Sequence, residues 1–196
     1  RNMSKTGLET GESQNLEESL ESVDISKIDK EIKNIQNAIK QKNADWIAGK
    51  TSVSHLSDYE KNMLLGLKKP ENYEAHVENQ EKVTISADLP SNWDWRNVNG
   101  KNYMTPVKNQ GQCGSCWAFG AIGAAEAVMK IESNKPDWDP DLSEQDLVSC
   151  DKGVNRGCNG GWPYEAFKYM KRTGGVDEQC FPYVARDVFC DKCDDW

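Results

Sequence analysis

The sequence has no long hydrophobic run and no excess of basic residues. It is 196 residues long and 37% hydrophobic, and its uncharged stretch 109–125 is interrupted by Gln, Asn, Gly and Ser. Because a membrane-spanning helix needs about 20 consecutive apolar residues, we predict none here. The 24 basic residues are outnumbered by 32 acidic ones, giving a net charge of -8, which is poorly suited to binding a phosphate backbone. We therefore expect neither a membrane nor a nucleic acid as a partner.

Cysteine is absent from the first 112 residues, whereas seven cysteines lie between residues 113 and 193. An odd number in so dense a group favours three disulfide bonds and one free thiol, and hence an oxidising location that is lysosomal, vacuolar or secreted. A reduced protein with unrelated thiols is the alternative that the count leaves open. No apolar targeting segment follows Arg1, so we expect any such segment to be removed or not included.

The N-terminal third contains two candidate helices. Residues 1–22 are rich in Ser, Glu, Asn and Gly, which predicts a disordered tail. Apolar side chains then recur every three or four positions, which predicts an amphipathic helix that packs on a neighbouring surface or joins a short coiled coil. The members of this stripe are Ile25, Ile28, Ile32, Ile35 and Ile39. Ser57 and Glu60 can cap a second helix, which we expect to continue through Leu67.

A change of composition marks a domain boundary near residue 88. Residues 71–87 carry few large side chains and several charges, which is typical of an extended connector. Beyond the boundary, the aromatic segments 93–96 and 103–107 favour short extended structure. We therefore divide the chain after its tail into a region at 23–87, helical and then extended, and a second domain at 88–196.

Three helices are predicted in the second domain. Residues 116–131 carry no charge in their first two turns, which predicts a helix that is buried nearly all round at its start. Ser143, with an acidic residue three positions later, can open another helix through a capping box. A proline at the first helical position begins the third helix, at residues 163–172.

Cys116 lies where a glycine-containing loop leads into the first of these helices. Unpaired backbone N–H groups and the positive end of the helix dipole favour a thiolate at such a position, and the thiolate is the nucleophilic form of cysteine. The same geometry would aim the Cys116 amide at a bound carbonyl, and the side-chain amide of Gln110 could be a second donor to the oxyanion. Cys116 and Gln110 are therefore our candidate catalytic residues.

Two other interpretations of the cysteine spacing compete with this one. Cys113 and Cys116 together with Cys190 and Cys193 match a four-thiolate zinc pattern, although far more residues separate the pairs than the usual number of about 15 to 20. A thioredoxin-like redox pair at Cys113 and Cys116 would leave five further cysteines and lacks the strand–helix context of that fold. We expect neither a metal nor a cofactor.

The string Cys113-Gly-Ser-Cys-Trp117 resembles the signature of papain-like cysteine proteases. Four further blocks resemble the same family and occur in its order. They are Leu89-Pro-Ser-Asn-Trp-Asp-Trp-Arg96 for the mature N-terminus, Pro106-Val-Lys-Asn-Gln110 for the oxyanion loop, Leu142-Ser-Glu-Gln-Asp-Leu-Val-Ser-Cys150 for the second helix and Gly157-Cys-Asn-Gly-Gly161 for the loop that binds the substrate backbone. The resemblance implies an α+β, papain-like fold, with the helical domain present and most of the β-rich domain missing.

Different parts of the chain resemble different members of this family. Residues 93–100 and 178–183 look most like dipeptidyl peptidase I (cathepsin C), whereas Trp46-Ile-Ala-Gly49 looks like the propeptides of cathepsin B-like endopeptidases. The cysteine-free N-terminal region does not resemble the exclusion domain of cathepsin C. The resemblance therefore implies an endopeptidase zymogen that acts on peptides or proteins, with residues 23–87 as its own inhibitory prosegment. A dipeptidyl peptidase and a non-catalytic or inhibitory paralogue are the alternatives.

The resemblance also implies the disulfide pairing and the substrate contacts. Cys113 would pair with Cys158, Cys150 with Cys190 and Cys180 with Cys193, unless Cys180 pairs outside the sequence. Gly160 and Gly161 would leave their backbone open to an extended peptide, although they could equally form an ordinary tight turn. The pocket for the substrate residue two positions before the cleaved bond would be shaped by Trp162, Pro163 and Tyr164. The sequence would look the same if these side chains were part of the core instead.

A cysteine nucleophile needs a base, yet the sequence contains only His55 and His76, both in the region interpreted as a prosegment. In the family signature the catalytic His and Asn lie about 130 to 150 residues after the cysteine, which is beyond Trp196. We therefore expect this chain alone to have no peptidase activity. The two histidines are expected to be exposed polar residues or sensors of pH in the release of the prosegment.

Overall fold

The computed structural model describes residues 25–71, 73–74 and 89–194. The predicted disordered tail at 1–22 and nearly all of the predicted connector at 71–87 lie outside the described residues. Within the described part, no helix has both the length and the apolar character needed to cross a membrane.

The first of two compact units is Arg1–Asn62. Its long helix α1, Ile25–Gln41, confirms the helix predicted from the isoleucine stripe, but none of its residues is fully buried. The Gln36 side chain donates a hydrogen bond from Nε2 to the Ala48 carbonyl at 2.9 Å. This bond fastens the chain that follows the helix back onto it.

Helix α2, Asp58–Met63, begins as predicted but ends early. Ser57 N donates to Glu60 Oε2 at 2.7 Å and Glu60 N donates to Ser57 Oγ at 3.2 Å, so the capping box is formed. The prediction that this helix continues through Leu67 is wrong. Leu67 instead forms a parallel bridge with Gly161, and this pairing holds the backbone in an extended form that a helix does not allow.

The core of the second unit, Met63–Trp196, is built in its described residues on three α-helices. Helix α3 is Cys116–Glu132, α4 is Glu144–Cys150 and α5 is Pro163–Thr173, and a 3-10 turn lies at Gly157–Asn159. All three α-helices begin where the sequence predicts. Pairing outside the helices consists of isolated bridges in the described residues, so the two aromatic segments expected to be extended form no strand.

The core of the second unit lies where α3 packs against α4 and α5. Its buried members are Trp117, Ala118, Ala121, Ile122, Leu147, Val148, Ala166 and Tyr169. The first turns of α3 contribute half of this set, which confirms the prediction of a helix that is buried at its start. Because close packing resists displacement, this core fixes the position of the N-terminus of α3 and of Cys116.

Ser143 caps α4, but the predicted capping box is only half formed. Ser143 Oγ accepts a hydrogen bond from Asp146 N at 3.0 Å. The Asp146 carboxylate does not accept the second hydrogen bond of the box, from Ser143 N. It accepts instead from Tyr169 OH at 2.8 Å and pairs with Lys192 at 2.7 Å. The acidic side chain thus ties α5 and the C-terminal residues to α4 rather than closing its own helix.

Candidate active site

Cys116 is the free cysteine among the seven, and it begins α3 with a partly exposed side chain. The other six form three disulfide bonds. These bonds join Cys113 to Cys158, Cys150 to Cys190 and Cys180 to Cys193, the pairs that the family resemblance implies. With this pairing, neither the four-thiolate zinc arrangement nor the Cys113–Cys116 redox pair is formed.

Gly114 allows the loop before Cys116 to pack against the disulfide-linked loop. Its N–H donates to the Cys158 carbonyl at 3.0 Å. A Cβ at Gly114 would lie 2.5 Å from that carbonyl oxygen, which is closer than side-chain carbons approach. Glycine is therefore required for the disulfide-linked loop and the start of α3 to meet.

Tyr183 links the loop of Gln110 to the start of α3. Its hydroxyl donates to the Gln110 carbonyl at 2.8 Å and, having used its one proton there, accepts from Ser115 Oγ at 2.6 Å. The Phe119 ring meets the Tyr183 ring edge to face, with 4.9 Å between ring centres. Burial raises the pKa of Tyr183, so the hydroxyl keeps the proton that it donates. No sequence pattern marked Tyr183 as a contact of this loop.

The side-chain amide of Gln110 is occupied by two backbone carbonyls. Nε2 donates to the Cys113 carbonyl at 2.7 Å and to the Leu64 carbonyl at 3.0 Å. Leu64 belongs to residues 64–68, which follow α2 and which we call the crossing segment. The donor that the sequence analysis assigned to an oxyanion thus holds the carbonyl of an extended chain.

The crossing segment also pairs with the backbone of Gly161. Gly161 N donates to the Gly66 carbonyl at 2.8 Å, and Lys68 N donates to the Gly161 carbonyl at 2.9 Å. Gly66 lies so close to Gly114 that an added Cβ would overlap the Gly114 carbonyl. Gly66 was not predicted to have a role, although close backbone approach is one of the situations that favour glycine.

Gly160 and Gly161 both occupy positions that other residues would not tolerate. Gly160 has a φ of 108°, in the region that favours glycine. A Cβ on Gly161 would lie 2.5 Å from Asn155 Oδ1 and 2.6 Å from the Trp117 ring. The two glycines therefore form a bare backbone surface with a side-chain ring directly behind it.

Asn155 holds this glycine pair in place. Its buried side chain accepts from Trp162 N at 2.6 Å and donates from Nδ2 to Asp151 Oδ2 at 2.6 Å. Trp117 adds a second anchor, because its Nε1 donates to the Gly157 carbonyl at 3.1 Å. Asn155 was not predicted to have this role, since an Asn in a loop is too common to be a signal by itself.

Trp162, Pro163 and Tyr164 lie at the start of α5, beside Gly161. Trp162 is half-buried, and the Tyr73 ring meets it edge to face at 5.4 Å between ring centres. Tyr164 is exposed, with Lys168 Nζ 5.6 Å from its ring centre. None of the three belongs to the buried core cluster of this unit, so they lie at the surface next to the bare backbone.

The described residues of the second unit, which contains Cys116, include no histidine. His55 is exposed in the first unit, and His76 lies outside the described residues. In the part of the chain that the structure covers, no group of three His, Cys, Asp or Glu side chains could hold a metal ion.

Known proteins resemble this chain in sequence. The family of papain cysteine proteases matches residues 89–195. Human cathepsin L2 is 52% identical over 105 residues, which are 53% of this chain and 30% of that protein. A KDEL-tailed cysteine endopeptidase of Arabidopsis thaliana is 47% identical over 108 residues, which are 55% of this chain and 28% of that protein. The chain thus spans less than a third of the length of these relatives.

A solved structure resembles the chain in fold. The digestive procathepsin L2 proteinase from the larval midgut of Tenebrio molitor has a TM-score of 0.72 and 27% identity, covering 93% of this chain and 58% of that one. The match to the family extends over more than half of the chain and includes Cys116, Gln110 and Gly161. The α+β, papain-like fold agrees with this match, and the chain belongs to the papain family of cysteine proteases.

Proposed function

We propose that this chain is part of a cysteine endopeptidase zymogen. Cys116 Sγ attacks the peptide carbonyl, and the Cys116 amide and Gln110 Nε2 stabilise the oxyanion that forms. The leaving amine takes a proton from a histidine that the sequence up to Trp196 does not supply, and water then hydrolyses the thioester. Three disulfide bonds favour a lysosomal, vacuolar or secreted location.

One observation carries this proposal: an extended peptide occupies the donors that a substrate would use. The Leu64 carbonyl accepts from the Gln110 side chain, and the N–H and carbonyl of Gly161 pair with the crossing segment. Backbone pairing of this kind accepts many sequences, which suits an enzyme that cleaves proteins. Residues 23–87 are then the inhibitory prosegment, and 88–196 the N-terminal part of the peptidase domain.

Endopeptidase activity is favoured over the release of dipeptides. The Arabidopsis relative carries the name endopeptidase. A non-catalytic paralogue would have no need of a free thiol at Cys116, because serine would pack equally well there.

The proposal that the crossing segment blocks the cleft beside Cys116, formed by Gln110 and Gly161, is tested by the rate at which iodoacetamide alkylates Cys116. Gly66→Ala places a Cβ against the Gly114 carbonyl, so we expect the segment to leave the cleft and alkylation to become roughly tenfold faster, the factor that about 1.4 kcal/mol corresponds to. Gly49→Ala is the matched control, because a Cβ there meets no atom within 4 Å. Equal rates for the three proteins would contradict the blocking role.

The activity itself is tested in an enzyme that joins this chain to the histidine- and asparagine-bearing part of the protein. Removing residues 1–87 is expected to produce hydrolysis of peptide substrates, and Cys116→Ala is expected to abolish it. The isolated chain of 196 residues is expected to show no turnover. The proposal is wrong if the processed enzyme with Cys116 intact cleaves no peptide, or if Cys116→Ala cleaves equally well.

A further inference from the structure

A pocket of about 900 Å³ borders Gly160 in the second unit. Its walls come from the end of the crossing segment and the residues just after it, from the loop before Gly161, and from α5. Its basic lining residues are Lys68, Lys69, Arg156 and Lys168, against the two acidic residues Glu71 and Glu165. In a chain with a net charge of -8, this is a local excess of positive charge.

Two of the four cations are neutralised by neighbouring carboxylates. Lys69 Nζ lies 3.1 Å from Glu74 Oε1, and Lys168 Nζ lies 2.9 Å from Glu165 Oε2. Within the described residues, Lys68 and Arg156 have no such partner. The cations of the pocket without a carboxylate partner are therefore Lys68 and Arg156. The remaining acidic lining residue, Glu71, belongs with Lys68 to the region interpreted as the prosegment.

Arg156 belongs to the loop that stays when the crossing segment leaves. Its N–H donates to the Gly160 carbonyl at 2.9 Å, and its carbonyl accepts from Asn159 N at 3.0 Å. The Cys113–Cys158 bond ties the same loop to the start of α3. Lys68, in contrast, departs with the prosegment. Arg156 is then the cation of this pocket that remains without a carboxylate partner among the described residues.

The path of the crossing segment shows which part of a bound peptide lies next to Arg156. The segment passes from Leu64, on the Gln110 amide, to Lys68, whose side chain covers Gly160. Gln110 marks the catalytic end of this path. The family resemblance assigns the pocket for the second substrate residue before the cleaved bond to Trp162, Pro163 and Tyr164, which directly follow Gly161. We therefore place that residue at Gly161, so the residue that replaces Lys68 over Gly160 is the third.

We infer that Arg156 makes the mature enzyme prefer an acidic side chain at the third substrate residue before the cleaved bond. This inference rests on the proposed function and adds a specificity-determining residue to it. The prosegment presents a lysine at the same place, a side chain with the same charge as Arg156. An acidic substrate therefore gains an ion pair that the prosegment lacks, which helps it to compete for the cleft.

The test compares two peptide substrates that differ only by Glu or Lys at this third position, with kcat/KM measured at low ionic strength in the processed, complete enzyme. We expect the Glu peptide to be cleaved about fivefold faster, the factor that an exposed ion pair supplies. Arg156→Gln should make the two rates equal, and Arg156→Lys should retain the preference. Lys152→Gln is the control, since Lys152 is an exposed cation of the same loop that does not line the pocket.

The outcomes separate the two proposals. Cleavage of both peptides at equal rates by the unaltered enzyme, or a preference that survives in Arg156→Gln, overturns the role of Arg156 alone. Failure to cleave either peptide overturns the proposed function and this inference with it. A preference that disappears in Arg156→Gln but persists in Lys152→Gln, and that weakens as salt is added, supports the role of Arg156.

Discussion

Gly161 shows how one residue serves two contacts at opposite sides of the backbone. On its open side its N–H and carbonyl pair with the crossing segment, and on its other side it lies against the Trp117 ring and Asn155 Oδ1. Any side chain would have to displace one of these groups. The position is thus set by packing and by backbone pairing together.

Gly161→Ala is expected to lower the free energy of unfolding by about 1 to 3 kcal/mol, because the added Cβ forces the Trp117 ring or Asn155 to move. Gly175→Ala is the matched control, since a Cβ at Gly175 meets no atom within 4 Å. Urea unfolding followed by tryptophan fluorescence measures both. Equal stability of the two variants would show that the loop moves freely away from α3.

Tyr183→Phe is expected to lower the free energy of unfolding by about 1 to 2 kcal/mol, because it leaves the Gln110 carbonyl and Ser115 Oγ without the hydroxyl that joins them. Tyr59→Phe removes a hydroxyl from a side chain that is 65% exposed and should leave stability unchanged. Thermal unfolding of the two variants provides the comparison. A Tyr183→Phe protein as stable as the wild type would mean that water replaces the hydroxyl.

At the scale of helices, α3 and α4 meet through buried charges as well as through the apolar core. Glu126 of α3 is 1% exposed and accepts from Thr105 Oγ1 at 2.6 Å and from Leu142 N at 2.8 Å. Lys108 Nζ lies 3.0 Å from the Glu144 carboxylate of α4. Acidic groups outnumber the one lysine here, since Asp141 also pairs with it at 2.7 Å.

This surplus of acidic groups predicts a pH dependence of stability. Burial raises the pKa of Glu144 from its ordinary value of 4.5 to about 7, although Lys108 opposes the shift. The folded protein therefore holds this proton more tightly than the unfolded chain. Its contribution to stability is complete below pH 4.5 and is lost as the pH rises towards 7, with a slope of at most about 1.4 kcal/mol per pH unit.

Glu144→Gln should flatten the dependence between pH 4.5 and 7. Glu132→Gln, which changes an exposed glutamate of α3, should leave it unaltered. Burial raises the pKa of Glu178 as well, so a shallower slope of the same sign is expected to remain in Glu144→Gln. Denaturant unfolding over this pH range gives the slopes, and a stability of the wild type that increases towards pH 7 would contradict the assignment.

For the whole second unit, the three disulfide bonds close loops of very different length. Cys113 and Cys158 are 45 residues apart, whereas Cys180 and Cys193 are 13 apart. Closing a longer loop removes more conformational entropy from the unfolded chain. The first bond also joins the loop of Gly161 to the start of α3, so it connects the two halves of the candidate site.

Replacing both cysteines of the Cys113–Cys158 bond by serine is therefore expected to destabilise the protein more than replacing those of the Cys180–Cys193 bond. The chain-entropy difference between them is about 1 kcal/mol, and Cys113 is also the more buried, at 2% exposure. Guanidinium unfolding of the two double variants tests this order. The reverse order would mean that the C-terminal loop contributes more to the core than its burial indicates.

Much of the fold could be predicted because its signals are local. The starts of α3, α4 and α5, the capping of α2 by Ser57 and Glu60, and the burial of the first turns of α3 depend on residues within a few positions of each other. The end of α2 could not be predicted in this way. It depends on Gly161, which lies far along the chain from Leu67.

The family and the chemical groups of the candidate site can be predicted from the sequence, because the blocks around Cys116 and Gln110 occur as short strings. The contacts of those groups depend on the tertiary structure. Gln110 and Leu64 are 46 residues apart, and Lys108 and Glu144 are 36 apart. Contacts over such distances depend on how the core orients whole helices, and no pattern of neighbouring residues encodes that orientation.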